Sequence, residues 1–137
     1  MRTMLRLMAE RPDVRVAADQ IGSPTYAPSP ASALWCLATA LWCLATTGFN
    51  GLHHFSDSDV ASWYDFAEAT QGKACGMGLL KQRAPVIPIA SADYPTPARR
   101  PHFPVQDKTE TYAALGQPAD HWRQNLRLML RELSSNE

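Results

Sequence analysis

Two arginines, Arg99 and Arg100, stand between prolines at 95, 97 and 101. A guanidinium on so stiff a segment can grip a phosphate through paired hydrogen bonds without losing much chain entropy. The other use of such a residue is a surface or interdomain salt bridge, and the residues alone leave both open. Hydride chemistry needs further parts. A phosphate cradle takes glycines spaced Gly-x-Gly-x-x-Gly or Gly-x-x-Gly-x-x-Gly at a strand-to-helix turn, because only a backbone without side chains approaches a pyrophosphate closely. Neither spacing occurs, and Gly48 and Gly51 run from helix into strand, the wrong order for presenting a helix N-terminus to phosphate. A tyrosine proton donor with a lysine four residues on is also missing: the residues four after Tyr26, Tyr64, Tyr94 and Tyr112 are Pro30, Glu68, Ala98 and Gly116. No catalytic and no cofactor-binding residue is assigned. His53 and His54, as strand neighbours, point to opposite faces and do not share an ion. Cys36 and Cys43, if helical, lie about 10 Å apart along the axis, beyond the ~7 Å Cα limit for a disulfide, which fits reduced thiols in a cytoplasmic chain.

The elements that must position these residues are written in the apolar spacing. Met1, Met4, Leu5 and Met8 recur at helical intervals until Pro12 and Asp13 end the helix, and Val14 to Ala18 reads as a strand. A loop from Asp19 leads to Ser29-Pro30, a cap and first-turn pair for the next helix. That helix carries Ala33-Leu34-Trp35-Cys36-Leu37-Ala38-Thr39 repeated without change as residues 40–46. Seven residues make nearly two turns, so the copy returns to the same face within about 20°, and the pattern of a tandem duplication is tolerated. Gly48 stops the helix, and Gly51 to Ser56 is expected to be a strand. Ser62-x-x-Asp65 forms a capping box with Asp in the place of the usual Glu or Gln. Gly72 to Gly78 is expected to be a mobile loop, Val86 to Ile89 an edge strand because of Pro88, and the proline-rich stretch from Pro85 to Pro104 extended. Asp120 is the expected cap of a last helix with Trp122, Leu126, Met129, Leu130 and Leu133 on one face.

With 137 residues, 45% hydrophobic and 19% charged, the chain suits a single unit with a packed core. Thirteen basic and thirteen acidic side chains cancel, and no basic stripe tracks a nucleic acid. No charged residue falls between Ile21 and Phe55. Yet a helix over residues 31–47 rises only about 26 Å against a hydrocarbon core of roughly 30 Å, and no Lys or Arg flanks it. A buried helix, not a membrane span, is the reading. No uninterrupted apolar stretch at the start offers a secretory signal, so a cytoplasmic location is expected.

Five segments, in order, resemble the dTDP-4-dehydrorhamnose reductases of the extended short-chain dehydrogenase group. These are Asp19-Gln20-Ile21-Gly22-Ser23-Pro24-Thr25, Gly51-Leu52-His53-His54-Phe55-Ser56, Ser62-Trp63-Tyr64-Asp65-Phe66-Ala67, Asp93-Tyr94-Pro95-Thr96-Pro97-Ala98 with Arg100-Pro101, and a final helix with Trp122. The resemblance implies an α/β fold: residues 1–137 as one partial domain matching the small C-terminal substrate-binding region, the Rossmann core largely missing. It implies that Gln20, Gly22, Ser23, Pro24, Thr25 and Arg100 line or support a dTDP-sugar pocket. NADPH or NADH and the Tyr/Lys pair would belong to the missing N-terminal Rossmann portion. Some family members hold magnesium at a homodimer contact through acidic residues, and Glu132 matches one such position.

The complete enzyme would reduce the C4 ketone of dTDP-4-dehydro-L-rhamnose, with this portion inactive alone. The alternative implied by the same group is a non-catalytic nucleotide-sugar-binding or regulatory module. Two departures stand out. Where the family continues after Arg100-Pro101 with a Ser and then a Leu, this chain has Pro104 and Gln106, and the repeated heptad is not part of the family pattern. The face that would meet the Rossmann portion is expected to be bare, an aggregation hazard for an isolated chain.

Overall fold

Among the described residues, the sheet that organises the chain has two strands, and they run parallel. In the computed structural model, which describes residues 2–39, 51–94 and 100–135, β1 (Val14–Ala17) pairs with β4 (Val86–Ile89) in the register Val14↔Val86 to Ala17↔Ile89. Val14 and Val16 point inward and are buried, while Arg15 between them is exposed, the alternation that β-strand geometry imposes. Pro88 sits opposite Val16, tolerated because each strand is an edge of a two-stranded sheet. α1 (Arg2–Glu10) precedes β1 and buries Met8, with Met4, Leu5 and Leu7 packed against the core.

Between the strands lie β2 (Ile21–Gly22), α2 (Pro28–Thr39), β3 (Ala61–Ser62) and α3 (Trp63–Gly76). β2 and β3 form an antiparallel pair, Ile21↔Ser62 and Gly22↔Ala61. After β4 come a 3₁₀ turn (Ser91–Asp93), α4 (Thr109–Leu115) and α5 (Trp122–Ser135). α3 is the hub. It packs on α1, β1, β4 and α5, and its Ala67 and Ala74 let Met8, Val14, Leu80, Trp122, Leu126 and Leu130 close into one core. Small residues on the central helix permit that close approach, and each full apolar side chain buried there contributes about 1.5–3 kcal/mol. On α5, Trp122, Leu126 and Leu130 are buried and Met129 and Leu133 half-buried, the face expected from their spacing.

Several local expectations are corrected. Residues 51–56 form no strand. Around them backbone groups bond to side chains instead of a ladder: Tyr112 donates its hydroxyl to Ser56 O at 2.7 Å, Lys108 Nζ reaches Asp57 O at 3.1 Å, and Asp57 N donates to Thr25 Oγ1 at 3.4 Å. Residues 72–76 are helical, and the termination lies further on. Leu79 N donates to Ala74 O at 2.9 Å and Gly78 N to Cys75 O at 3.1 Å, with Gly78 at φ +77°, the paired bonds and left-handed glycine of a Schellman stop.

α2 begins at Pro28, ahead of the Ser29 cap, with Ser29 N bonded to Tyr26 O. Prolines suit this first turn because its N–H groups have no helical partner. The second copy of the heptad, Cys43 and Gly48 lie outside the described residues. His121, not Asp120, caps α5: its Nδ1 accepts from Arg123 N at 3.0 Å. A backbone N–H can only donate, so the imidazole holds its proton on Nε2 and gives it to Asp59 Oδ2, 3.0 Å away. Asp120 instead offers its carbonyl to Ser58 N at 3.0 Å. Among the described residues no helix is long and apolar enough to cross a membrane.

The capping box of α3 is complete. Asp65 N donates to Ser62 Oγ at 3.0 Å and Ser62 N to Asp65 Oδ2 at 3.0 Å. The Ser62 hydroxyl and backbone N–H hold the Asp65 carboxyl below the ordinary carboxylate range, against a smaller opposing effect of burial. A depressed folded-state pKa adds stability above the unfolded value and loses it as pH falls through the folded one. Ser62→Ala should therefore cost about 1 kcal/mol at pH 7, or roughly 3–5 °C in melting temperature for a chain of this size. The gap to wild type should narrow between pH 7 and the lowest pH at which the chain stays folded, as Asp65 takes up a proton and no longer completes the box. A gap of equal size at both pH values would contradict this role.

Candidate functional site

Parallel strands direct their carboxyl ends to one side, and in α/β folds that side carries the ligand. Here the end of β1 is tied to the end of β4 by one carboxylate. Asp19 accepts from Ser91 N at 3.0 Å on both oxygens and from Ser91 Oγ at 2.6 Å. The Ser91 hydroxyl and N–H, with a small contribution from His102, hold the Asp19 carboxyl below the ordinary range. Gln20 Nε2 donates to the same Ser91 Oγ at 2.7 Å, which fixes the next residue in turn.

The segment bearing Arg100 is latched to the same point. Ile21 N donates to His102 O at 2.8 Å, and His102 Nδ1 lies 3.1 Å from Asp19 O and 3.7 Å from Asp19 Oδ2. From the other side Trp63 N donates to Gln20 O at 3.3 Å. The loop after β1, the first turn of α3 and the segment after Arg100 are thus drawn together.

They enclose a cleft of about 480 Å³ lined by Gln20–Pro24, Ala61–Trp63, Phe66, Arg100, Pro101 and Pro104, within the size range of small-molecule sites. Of the six residues expected in a substrate pocket, Gln20, Gly22, Ser23, Pro24 and Arg100 fall on its wall. Arg100 is exposed and has no ion-pair or hydrogen-bond partner among the described residues. A Cβ on Gly22 would meet nothing within 4 Å, so this strand glycine borders open space. Thr25 is not on the wall. Its hydroxyl donates to Ser23 O at 3.0 Å and accepts from Asp57 N, holding the shape of the loop that presents its neighbours.

Behind Thr25 the buried Asp57 accepts from Tyr26 N at 3.0 Å. Tyr26 donates its hydroxyl to Glu132 Oε1 on α5. That bond, with burial and the Glu132 charge adding to it, pushes the Tyr26 phenol up to about 12, so it remains a donor throughout the neutral range. Asn125 Nδ2 adds a bond to Ser29 Oγ at 3.1 Å. Glu132, expected as a metal position at a homodimer contact, thus bonds within this chain to the cleft loop, and among the described residues no group of three His, Cys, Asp or Glu side chains could hold a metal ion. Of the histidine pair, His53 Nδ1 lies 3.4 Å from Glu110 Oε2.

Three residues central to this site were not singled out by sequence reasoning. Asp19 and Ser91 are 72 positions apart, and nothing local announces their bond. Trp63 is marked in sequence by its place beside the Ser62 cap and within the Ser62–Ala67 segment that resembles the family, neither of which gives it a role in the site. Its ring is half exposed, stands edge-on to Phe66 at 6.3 Å between centroids, and lines the cleft with Arg100. Phe66 in turn leans on Trp122 at 5.8 Å, so an aromatic chain connects the cleft wall to the core.

A family model described as the RmlD substrate binding domain matches residues 1–135. A dTDP-4-dehydrorhamnose reductase of Aggregatibacter actinomycetemcomitans is 40% identical over 127 residues, covering 92% of this chain and 42% of the relative. The spore coat polysaccharide biosynthesis protein SpsK of Bacillus subtilis is 33% identical over 133 residues, covering 97% of this chain and 42% of the relative. A crystal structure of a dTDP-4-dehydrorhamnose reductase from Bacillus anthracis in complex with NADP shares 27% identity at a TM-score of 0.67, covering 96% of this chain and 42% of that one. The chain thus spans about 42% of the length of these relatives, and the matches in sequence and in fold agree that it belongs to the RmlD substrate-binding domain family.

Proposed function

We propose that residues 1–137 are the substrate-binding part of a dTDP-4-dehydrorhamnose reductase, which binds the nucleotide sugar whose C4 ketone the complete enzyme reduces. The observation that supports this most is the meeting of the Gln20–Pro24 loop and Arg100, unpaired among the described residues, in one apolar-walled cleft. A guanidinium beside a pocket of that kind suits a diphosphate flanked by less polar groups.

The chain supplies binding, not hydride transfer. It has no glycine-rich strand-to-helix turn and no Tyr-x-x-x-Lys pair, so its residues do not fit a nicotinamide dinucleotide. We assign NADPH or NADH and the proton donor to a Rossmann portion that pairs with this one. The outer edge of β1 is free among the described residues, and Arg15 and Ile87 leave one sheet face open. Parallel sheets are stable when both faces are covered, so this edge and face suit that portion. A non-catalytic nucleotide-sugar-binding or regulatory module would use the same cleft and differ only in never regaining reductase activity with such a portion.

Two measurements check this reading. The isolated chain mixed with NADPH and dTDP-4-dehydrorhamnose should leave the nicotinamide absorbance unchanged, and calorimetry at low salt should show dTDP binding weakened about tenfold or more by Arg100→Ala. NADPH oxidation by the chain alone, or dTDP affinity indifferent to Arg100, would contradict it.

Within a single chain Glu132 receives the Tyr26 hydroxyl, which supports reading it as a structural partner of Tyr26. If Tyr26 and Glu132 form a metal-free strut, 10 mM magnesium or chelator (roughly saturating for a weak carboxylate site) should leave the melting temperature unchanged. Tyr26→Phe should lower it by an amount corresponding to about 0.5–1 kcal/mol, the range for a solvent-exposed bond to a charged group. Stabilisation of wild type by magnesium would restore Glu132 as a ligand, whether within one chain or across a homodimer.

A further inference from the structure

Asp57 is among the most deeply buried side chains of the molecule, with none of its surface exposed. A carboxylate is rarely found at such depth unless it is paired. Its Oδ2 accepts from Tyr26 N at 3.0 Å, whereas its Oδ1, equally withdrawn from solvent, has no hydrogen-bond partner among the described residues. No lysine, arginine or histidine of those residues forms an ion pair with it. Lys108 reaches the same residue but gives its ammonium to the main-chain oxygen, at 3.1 Å.

The carboxylate stands on the wall of a crevice of about 40 Å³ behind the loop that shapes the cleft, and one water molecule in the liquid takes about 30 Å³. The crevice therefore admits one small occupant. Pro24 and Thr25 line it beside Asp57, and so does the buried Asn125. Asn125 commits its Nδ2 to Ser29 Oγ at 3.1 Å, so the end of the amide left for the crevice is its oxygen. The rest of the wall is aromatic or aliphatic. We propose that this crevice is a site for one monovalent alkali cation, held by Asp57 Oδ1 together with oxygens of the Pro24–Thr25 segment and of Asn125.

Charge and size select that class. One carboxylate balances one positive charge, whereas a divalent ion leaves an excess charge in surroundings that solvate it poorly. Magnesium also keeps several of its waters, more than this volume holds. A lone water satisfies the hydrogen bonding of Oδ1 but leaves the charge uncompensated. Hard cations take carbonyl and amide oxygens as ligands, so the site needs no cluster of three His, Cys, Asp or Glu side chains. Neither Glu132 nor Arg100 lines the crevice. The ion joins three pieces that no strand ladder connects: the loop behind the cleft, Asp57 and α5.

Melting of the full chain in sodium, potassium and N-methyl-D-glucamine chloride at equal ionic strength tests this, because screening is then the same in all three. The melting temperature should be higher in sodium or potassium than in the bulky organic cation by about 3–6 °C, the shift for a ligand at roughly tenfold its dissociation constant. Asp57→Asn keeps an acceptor for Tyr26 N and removes the charge, so it should melt at one temperature in all three salts. Should that variant fail to fold, sodium-23 line broadening by the wild-type chain, reversed by potassium and not by N-methyl-D-glucamine, reads the same site. Equal wild-type melting in the three salts would show that water or a proton satisfies Asp57 and would overturn the proposal. A preference for small cations that survives in Asp57→Asn, or sodium broadening that potassium does not reverse, would also overturn it. None of these outcomes bears on dTDP binding or on Arg100.

Discussion

The cleft depends on a single carboxylate. Asp19 follows closely on β1, and by accepting the N–H and hydroxyl of Ser91 it fixes the carboxyl ends of two parallel strands against each other. Everything that lines the cleft is referred to that point. Gln20 shares the Ser91 hydroxyl, Ile21 takes the carbonyl of His102, and the backbone of Gln20 receives Trp63. Parallel pairs are slanted and somewhat weaker per residue than antiparallel ones, and a two-residue pairing such as β2 with β3 contributes little alone. A charge-assisted side-chain bond across the strand ends is what makes so short a set of ladders hold a defined shape.

Features governed by neighbours along the chain are legible in the residues themselves. The apolar faces of α1 and α5 follow from spacing, and the Ser62–Asp65 box from residue chemistry three positions apart. What escapes such a reading is long-range or degenerate. Nothing in Gly51 to Asp57 reveals that Tyr112 and Lys108, over fifty residues on, bond the carbonyls of Ser56 and Asp57. Three glycines at 72, 76 and 78 look alike in sequence, yet only Gly78 adopts a positive φ, so the helix continues past the first two. Asp120 is the commoner type of cap residue, but its neighbour's imidazole is already oriented by Asp59 and by stacking on Trp122. The seven residues of α4 are too few to display a helical period.

The site divides in the same way. Arg100 and the Gln20 to Thr25 loop could be named because the order of motifs along the chain resembles a family, not because spacing reveals a pocket. Within that loop the structure separates residues facing the cleft from Thr25, which shapes it from behind. Trp63 is visible in sequence as the first apolar residue after a cap and as part of a segment that resembles the family, while its exposure beside Arg100 is a property of the fold. Glu132, named through the same resemblance, meets a tyrosine hydroxyl. Among the described residues the wall of the cleft is closed, while the outer edge of β1 has no strand beside it.

Amide hydrogen exchange on the full chain, with and without saturating dTDP, tests that division most directly, because it locates binding without altering a residue. Slower exchange is expected at residues 20–24, at 61–66 and at 100–103, with α1 and the free edge of β1 unchanged. Slower exchange confined to α2 and α5, or none anywhere at a dTDP concentration shown to saturate, would contradict a nucleotide site built on the Asp19–Ser91 clamp.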